Sequence, residues 1–325
     1  MNPADQAAAP PDYPLQIEWA DLEPYRRSDS GIDYVHSFNS GRAGPHVMVN
    51  ALTHGNELCG MVVVKRMLDV GVRPRAGRLT LSFANVAAYA HFGADHLDAR
   101  FVDRDFNRLW RDDWIDADTQ SAEAARARQM RPWVAGADRL LDLHSTWHAL
   151  APFFVLANQP RTRQLADELA VPARQLLLPE VWHEGLHLID YGAFRAPTAS
   201  AVALIAECGQ HFAQCSVDQA WRTAVRFLQV TLAIDADQAA ALCPGLEPAQ
   251  RIERFEIVQP VIAATDELRL TGSYAGFTRH QRGAVAALDG GQPVLAPFDG
   301  AVLLAPRPNP RQGQQAFAWG REVSE

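Results

Sequence analysis

His46-Val-Met-Val-Asn-Ala-Leu52, followed at once by Thr53-His54-Gly55-Asn56-Glu57 and an apolar-spaced run over 58–70 that closes at Gly71, decides how this chain is read. The first seven residues are β-rich, and the second run has the spacing of a buried helix ended by glycine. The same alternation continues outward. Residues 78–86 alternate like a strand, 121–137 are Ala/Arg-rich and helical, and 139–143 form an apolar run leading into His144. Strands are expected at 152–156 and 200–206, the latter stopping at Glu207, with helices at 161–169 and 218–234. Strands interleaved with helices predict an α/β fold, a mixed central sheet with helices on both faces. After about Asp235 the texture changes to short β-type pieces (254–258, 267–270, 301–304) between Gly- and Pro-rich turns, with no helix expected and 306–315 read as turn and loop. The expected division is a catalytic domain over 1–244 and a small all-β domain over 245–325.

Composition narrows the function. The chain has 325 residues, 48% hydrophobic and 21% charged, so disordered and fibrous classes are excluded. A net charge of −8 without a basic block argues against a nucleic-acid partner. The four cysteines share no C-x-x-C spacing and read as reduced thiols. Residues 1–14 have neither a basic start nor an apolar core, and no run approaches the ~18 apolar residues of a membrane helix. A cytoplasmic protein off the membrane is expected, with homo-oligomerisation left open.

Three strand-like runs each end in a polar residue that a buried strand does not use: His54 with Glu57, His144, and Glu207. Ligands collect beyond the carboxyl ends of strands in open α/β sheets, so one shared site is plausible. His54 and Glu57 in one Gly-Asn turn, completed by a later histidine, would make a two-His, one-carboxylate zinc site with an open position. The competing reading places Glu57 at the helix N-terminus as a dipole partner. Alternation sets Asp142 and His144 on one side of their strand, where the carboxylate could orient the imidazole; the competing reading is a strand-end histidine bonded to a loop. A lone carboxylate such as Glu207 after an uncharged run suits a proton carrier, unless it is an exposed strand end. The segment Arg100-Phe-Val-Asp-Arg-Asp-Phe-Asn-Arg108 offers arginines for carboxylates and a developing oxyanion, or else a self-paired solvated loop. Tyr191 and Arg195 offer a further acceptor-binding pair. His183-Glu184-Gly185-Leu186-His187 matches H-E-x-x-H, but Gly185 inside it and Pro179 before it argue against the helix that motif needs.

Taken in order, His54-Gly-Asn-Glu57, Asp105-Phe-Asn107-Arg108, Asp142-Leu-His144 and Glu207 resemble the succinylglutamate desuccinylase/aspartoacylase family, relatives of the zinc carboxypeptidases. The tail containing Gln292-Pro-Val-Leu-Ala-Pro-Phe-Asp-Gly300 resembles that family's small C-terminal domain. The resemblance implies one zinc per chain held by His54, Glu57 and His144, with Glu207 taking a proton from the attacking water and passing it to the leaving amine. It implies that Arg100 polarises the scissile carbonyl, that Asn107 and Arg108 hold the α-carboxylate, and that Tyr191 and Arg195 clamp an acidic substrate. The expected activity is zinc-dependent deacylation of an N-acetyl- or N-succinyl-type amino acid, an acidic one, with a small carboxylate-bearing molecule as the partner. The alternatives are a metallopeptidase, carboxypeptidase-like or a zincin using His183 and His187, and a non-catalytic carboxylate-binding protein.

Overall fold

In a computed structural model that describes residues 12–93, 96–179, 185–272, 274–307 and 309–323, the chain opens on β1 (Val35–Asn39) and then alternates. There follow β2 (His46–Ala51), α1 (Leu58–Asp69), β3 (Arg78–Phe83), α2 (Val86–Tyr89), α3 (Asp112–Ala117) and α4 (Ala122–Ala135). Next come β4 (Arg139–Thr146), β5 (Phe153–Ala157), α5 (Pro160–Leu169), β6 (Arg174–Leu178), β7 (Val202–Gln210), α6 (Gln214–Val230) and α7 (Ala236–Leu242). The remainder is β8 (Glu253–Ile262), β9 (Arg269–Leu270), β10 (Thr278–His280), β11 (Val285–Asp289), β12 (Gln292–Leu295), β13 (Ala301–Leu304) and β14 (Gln315–Glu322). No helix among the described residues is long and apolar enough to cross a membrane.

Among the described residues, eleven strands form one mixed sheet in the order β1-β3-β2-β4-β7-β5-β6-β8-β14-β13-β10. At its centre β3, β2, β4 and β7 run parallel, while β5 lies antiparallel to β7. Alternation along the central strands feeds two cores. Val47, Val49, Leu141, Leu143, Leu204 and Ala206 pack under α1, α5 and α6. Met48, Leu140, Ala203 and Ile205 pack against Ala127, Met130 and Val134 of α4. The helices therefore cover both faces, as the strand-helix rhythm predicts. Local signals set the helix ends: Gly71, at a φ of 68°, donates its N–H to the Leu68 carbonyl just past α1, and the Ser121 side chain caps α4.

Two expectations are corrected, and the 306–315 loop is as expected. Glu207 does not stop its strand, because β7 keeps backbone partners on both sides and runs on to Gln210. The stretch after Asp235 does contain a helix, α7, started by a capping box in which Asp235 and Gln238 bond each other's backbone N–H. The 306–315 loop leads into a long final strand, β14, which lies between β8 and β13. The C-terminal strands form a third apolar core around Leu303, Phe317 and Trp319, and β9, β11 and β12 make a separate small sheet. The large sheet itself crosses the 244/245 boundary, since β8 pairs in parallel with β6.

Candidate functional site

β2, β4 and β7 lie side by side and parallel, so the residues that follow them share one edge of the sheet. Leu52 adopts a left-handed φ of 56°, ending the extended run of β2 just before the His54–Glu57 turn. Gly55 in that turn has no room for a side chain: a Cβ would stand 2.5 Å from backbone atoms of Ala88, Tyr89 and Ala99. Its N–H donates to the Arg100 carbonyl at 3.0 Å. The glycine is thus required by close approach of two backbone segments. Glu57 precedes α1 but makes no side-chain cap there; its carboxylate turns toward the two histidines.

The ligand atoms of His54, Glu57 and His144 lie within 4.8 Å of one another, and all three residues are buried. His54 Nδ1 is 2.7 Å from Glu57 Oε1, and His144 Nδ1 is 2.8 Å from Glu57 Oε2. Glu57 Oε2 is buried and, despite this approach, is left without a hydrogen-bond partner. An imidazole nitrogen and a carboxylate oxygen set this close, beside a second imidazole nitrogen on the same carboxylate, suit a shared cation. The far side of each ring supports this: His144 Nε2 lies 2.7 Å from Asp142 Oδ2, and His54 Nε2 lies 3.0 Å from Asp105 Oδ1. A proton on each Nε2 leaves both Nδ1 lone pairs for a metal, the carboxylate–histidine arrangement of zinc sites. Asp142 is itself fixed by Asn50 Nδ2 and Thr53 Oγ1, both at 2.8 Å from Oδ1. Burial would raise the Glu57 carboxyl pKa, but the charges of His54 and His144 outweigh it and hold it well below the usual range. Burial would likewise lower the His144 pKa, yet Asp142 and Glu57 hold it well above the ordinary histidine value. The cluster calls for positive charge, and its donor set fits zinc.

Glu207 is directly opposite His144 in the β4–β7 pairing, and its Oε2 is buried with no hydrogen-bond partner. Burial pushes its pKa up to about 8 against the pull of His144 and Arg100. Arg100 sends Nε and Nη2 to Asp105 Oδ2, at 3.3 and 3.1 Å, and Nη1 toward Glu57 Oε1 at 3.5 Å. Asp105, quoted within a motif but given no role from sequence, therefore joins a histidine of the cluster to Arg100. The Arg100–Arg108 segment is exposed over 101–104 and partly self-paired, but its backbone is held from beneath: the buried carboxylate of Glu123 on α4 accepts the N–H groups of Val102, Asp103 and Arg104 at 2.7 to 3.1 Å and Asn85 Nδ2 at 3.0 Å. Sequence reading missed Glu123, which looks like one more charge on an Ala/Arg-rich helix. Asn107 is buried, its Oδ1 accepting the Leu188 N–H at 2.8 Å, and Arg108 Nη1 donates to the Asn107 carbonyl.

Tyr191 and Arg195 are brought together elsewhere. They line a cavity of about 720 Å³ with Trp110, Trp114 and Asp112, and none of His54, Glu57, His144 or Glu207 borders it. The Tyr191 hydroxyl donates to Asp112 Oδ1 at 2.6 Å. Of the H-E-x-x-H match, His183 and Glu184 lie outside the described residues. Gly185 has a φ of 121°, and His187 heads a short 3-10 turn with Nδ1 on Asp190, so no helix carries the motif through its second half.

Comparison with known proteins agrees with this geometry. The sequence model of the Succinylglutamate desuccinylase/Aspartoacylase catalytic domain matches residues 43–231. A probable aspartoacylase of Parasynechococcus marenigrum (strain WH8102) is 35% identical over 147 residues, which span 42% of this chain and 45% of that protein, less than half its length. The crystal structure of succinylglutamate desuccinylase from Vibrio cholerae superposes with a TM-score of 0.61 at 22% identity, covering 91% of this chain and 89% of that one. Murine aminoacylase 3 does so with a TM-score of 0.61 at 19% identity, covering 87% and 96%. The structural likeness establishes a shared fold, the zinc carboxypeptidase-like mixed sheet with an added C-terminal β-unit.

Proposed function

The chain belongs to the succinylglutamate desuccinylase/aspartoacylase family, and from that premise we propose that it is a zinc-dependent hydrolase cleaving the amide bond of an N-acyl amino acid. The observation that carries the proposal is the convergence of His54, Glu57 and His144 around the unpartnered Glu57 Oε2, with Glu207 directly across the sheet from His144. His54, Glu57 and His144 would hold the metal, and Asp105 and Asp142 orient the two imidazoles. Zinc bound there supplies a Lewis acid and brings the pKa of water toward neutrality.

The remaining work falls to named side chains. Glu207, whose raised pKa lets it hold or release a proton near neutral pH, accepts the proton of the attacking water and delivers it to the departing amine. Arg100, oriented by Asp105, stands beside Glu57 to stabilise negative charge growing on the acyl oxygen. Asn107 and Arg108, two and three residues past the Asp105 that bonds His54, hold the α-carboxylate.

Metal analysis and deacylase assays on wild type, His54→Ala and Glu207→Gln test this reading. About one zinc per chain is expected in wild type and loss of zinc in His54→Ala. Glu207→Gln should keep the metal while losing at least ~10²-fold in turnover. Undiminished zinc and activity in both variants would overturn it.

A further inference from the structure

At the other end of the strands from the metal cluster lies a cavity of about 400 Å³, within the size range of small-molecule pockets. It opens where β4 and β7 begin: Arg139 and Val202 are the first residues of those strands, whereas His144 and Glu207 lie toward their far ends. α5 and the C-terminal end of α6 close its sides, and none of the residues assigned to the chemistry above borders it. Leu165 and Val202 give it a buried apolar wall.

The charged groups around this cavity are not neutralised by one another. Arg161 turns its guanidinium to main-chain carbonyls: Nε donates to Ala201, Nη1 to Pro197, and Nη2 to Phe194 and Ala196, at 2.8 to 3.1 Å. Those bonds fix the 194–201 stretch as one lip of the cavity and bring no counter-ion. Arg139 donates from Nη1 to the Asp138 and Ser200 carbonyls at 2.8 and 2.9 Å, and among the described residues its Nε and Nη2 have no partner. Glu168 accepts Gln164 Nε2 on Oε1 at 3.0 Å and has no cationic partner among the described residues. Arg139 and Glu168 thus border one cavity without forming an ion pair across it. A molecule carrying both a carboxylate and an ammonium group would satisfy the two together.

An independent feature stands at the rim. α6 ends in a Schellman motif, in which the Ala233 N–H donates to the Leu228 carbonyl at 2.9 Å and the Leu232 N–H to the Gln229 carbonyl at 3.1 Å. The residue after the cap in that motif is favourably glycine, yet Leu232 holds it at a φ of 61°. Burial does not compensate the backbone, since Leu232 is 71% exposed. A leucine unfavourable both for its backbone and for its contact with water, placed where it borders a cavity, is accounted for if its side chain closes over an apolar group bound there.

We propose that this cavity is a binding site for a free aliphatic amino acid, with its carboxylate on Arg139, its ammonium on Glu168 and its side chain among Leu165, Val202 and Leu232. The site is separate from the deacylase centre and does not depend on that reading.

Calorimetric titration of the full zinc-loaded chain tests this without any turnover, using L-leucine, 4-methylpentanoate, which lacks the ammonium, and 3-methylbutylamine, which lacks the carboxylate. L-Leucine should bind, and each analogue should bind at least ~10-fold more weakly. Arg139→Gln should weaken L-leucine binding by at least ~10-fold. Leu232→Gly should weaken it by about 3-fold or more, while melting no lower than wild type because glycine relieves the left-handed backbone. His54→Ala should bind L-leucine as wild type does. The proposal is overturned by absence of L-leucine binding up to about 10 mM, by equal binding of 4-methylpentanoate, or by unchanged binding in both Arg139→Gln and Leu232→Gly. Loss of binding in His54→Ala with Arg139→Gln unaffected would place the amino acid at the metal cluster and overturn it equally.

Discussion

Replacing Gly55 by alanine probes the turn that holds His54 and Glu57 without touching either side chain. The added Cβ would lie 2.5 Å from Ala88 C, Tyr89 N and Ala99 O, where ordinary contacts begin at 3.4 Å, so the turn must retreat by about 1 Å. All three obstacles are main chain, and none can swing aside as a side-chain tip would. Overpacking of this kind costs about 1 to 3 kcal/mol, and enclosure by backbone places Gly55→Ala at the upper end, about 3 kcal/mol. Metal sites tolerate only about 0.2 Å in ligand position, so the same displacement should weaken zinc binding by at least ~10-fold. Chemical denaturation of metal-free and zinc-loaded protein, with chelator competition for the zinc constant, measures both effects. Gly272→Ala, whose Cβ would meet nothing within 4 Å, is the control. If Gly55→Ala and the control show the same denaturation midpoint and zinc affinity, the argument that backbone crowding places the ligand turn is wrong.

Other perturbations test neighbouring parts of the site. The Glu207 pKa is raised from 4.5 to about 8 in the fold, so the native state holds a proton that the unfolded state releases. Metal-free wild type should therefore lose about 4 to 5 kcal/mol of stability as pH rises from 4.5 past 8, and pH-dependent denaturation should find that slope missing in Glu207→Gln. Glu123→Ala leaves three backbone N–H groups and the Asn85 amide without their acceptor; a stability loss of about 3 kcal/mol and a fall in turnover with zinc retained are expected, read by denaturation and metal-normalised kinetics. Asp142→Asn weakens the partner of His144 Nε2 and should lower zinc affinity by ~10- to 100-fold in chelator competition, with little change in the far-UV spectrum.

What was legible in the sequence was local. The His54–Glu57 turn, the shared side of Asp142 and His144, and the glycine ending α1 follow from spacing and strand or helix period, and each lies within a few residues. The contacts that turn these pieces into a site span much longer separations. Asp105 meets His54 across 51 positions, and Asn50 and Thr53 reach Asp142 across about 90; only the parallel pairing of β2 with β4 brings the latter together. Glu123 could not be told from a solvated helical glutamate, because its value lies in three N–H groups contributed by another segment. The helix at Ala236–Leu242 did carry a readable mark, the Asp235…Gln238 box, which its Gly- and Pro-rich surroundings obscured. Tyr191 and Arg195, paired by spacing, do line one cavity together, with the Tyr191 hydroxyl on Asp112.

The seam between β6 and β8 makes the two ends of the molecule mutually dependent. A chain cut anywhere from 243 to 252 would leave Arg174–Leu178 with a bare row of amide and carbonyl groups along one side, a template for pairing with any neighbour and a route to aggregates. The terminal eighty or so residues thus serve as a selvedge, finishing the cloth so that the pleats beside the histidines do not fray.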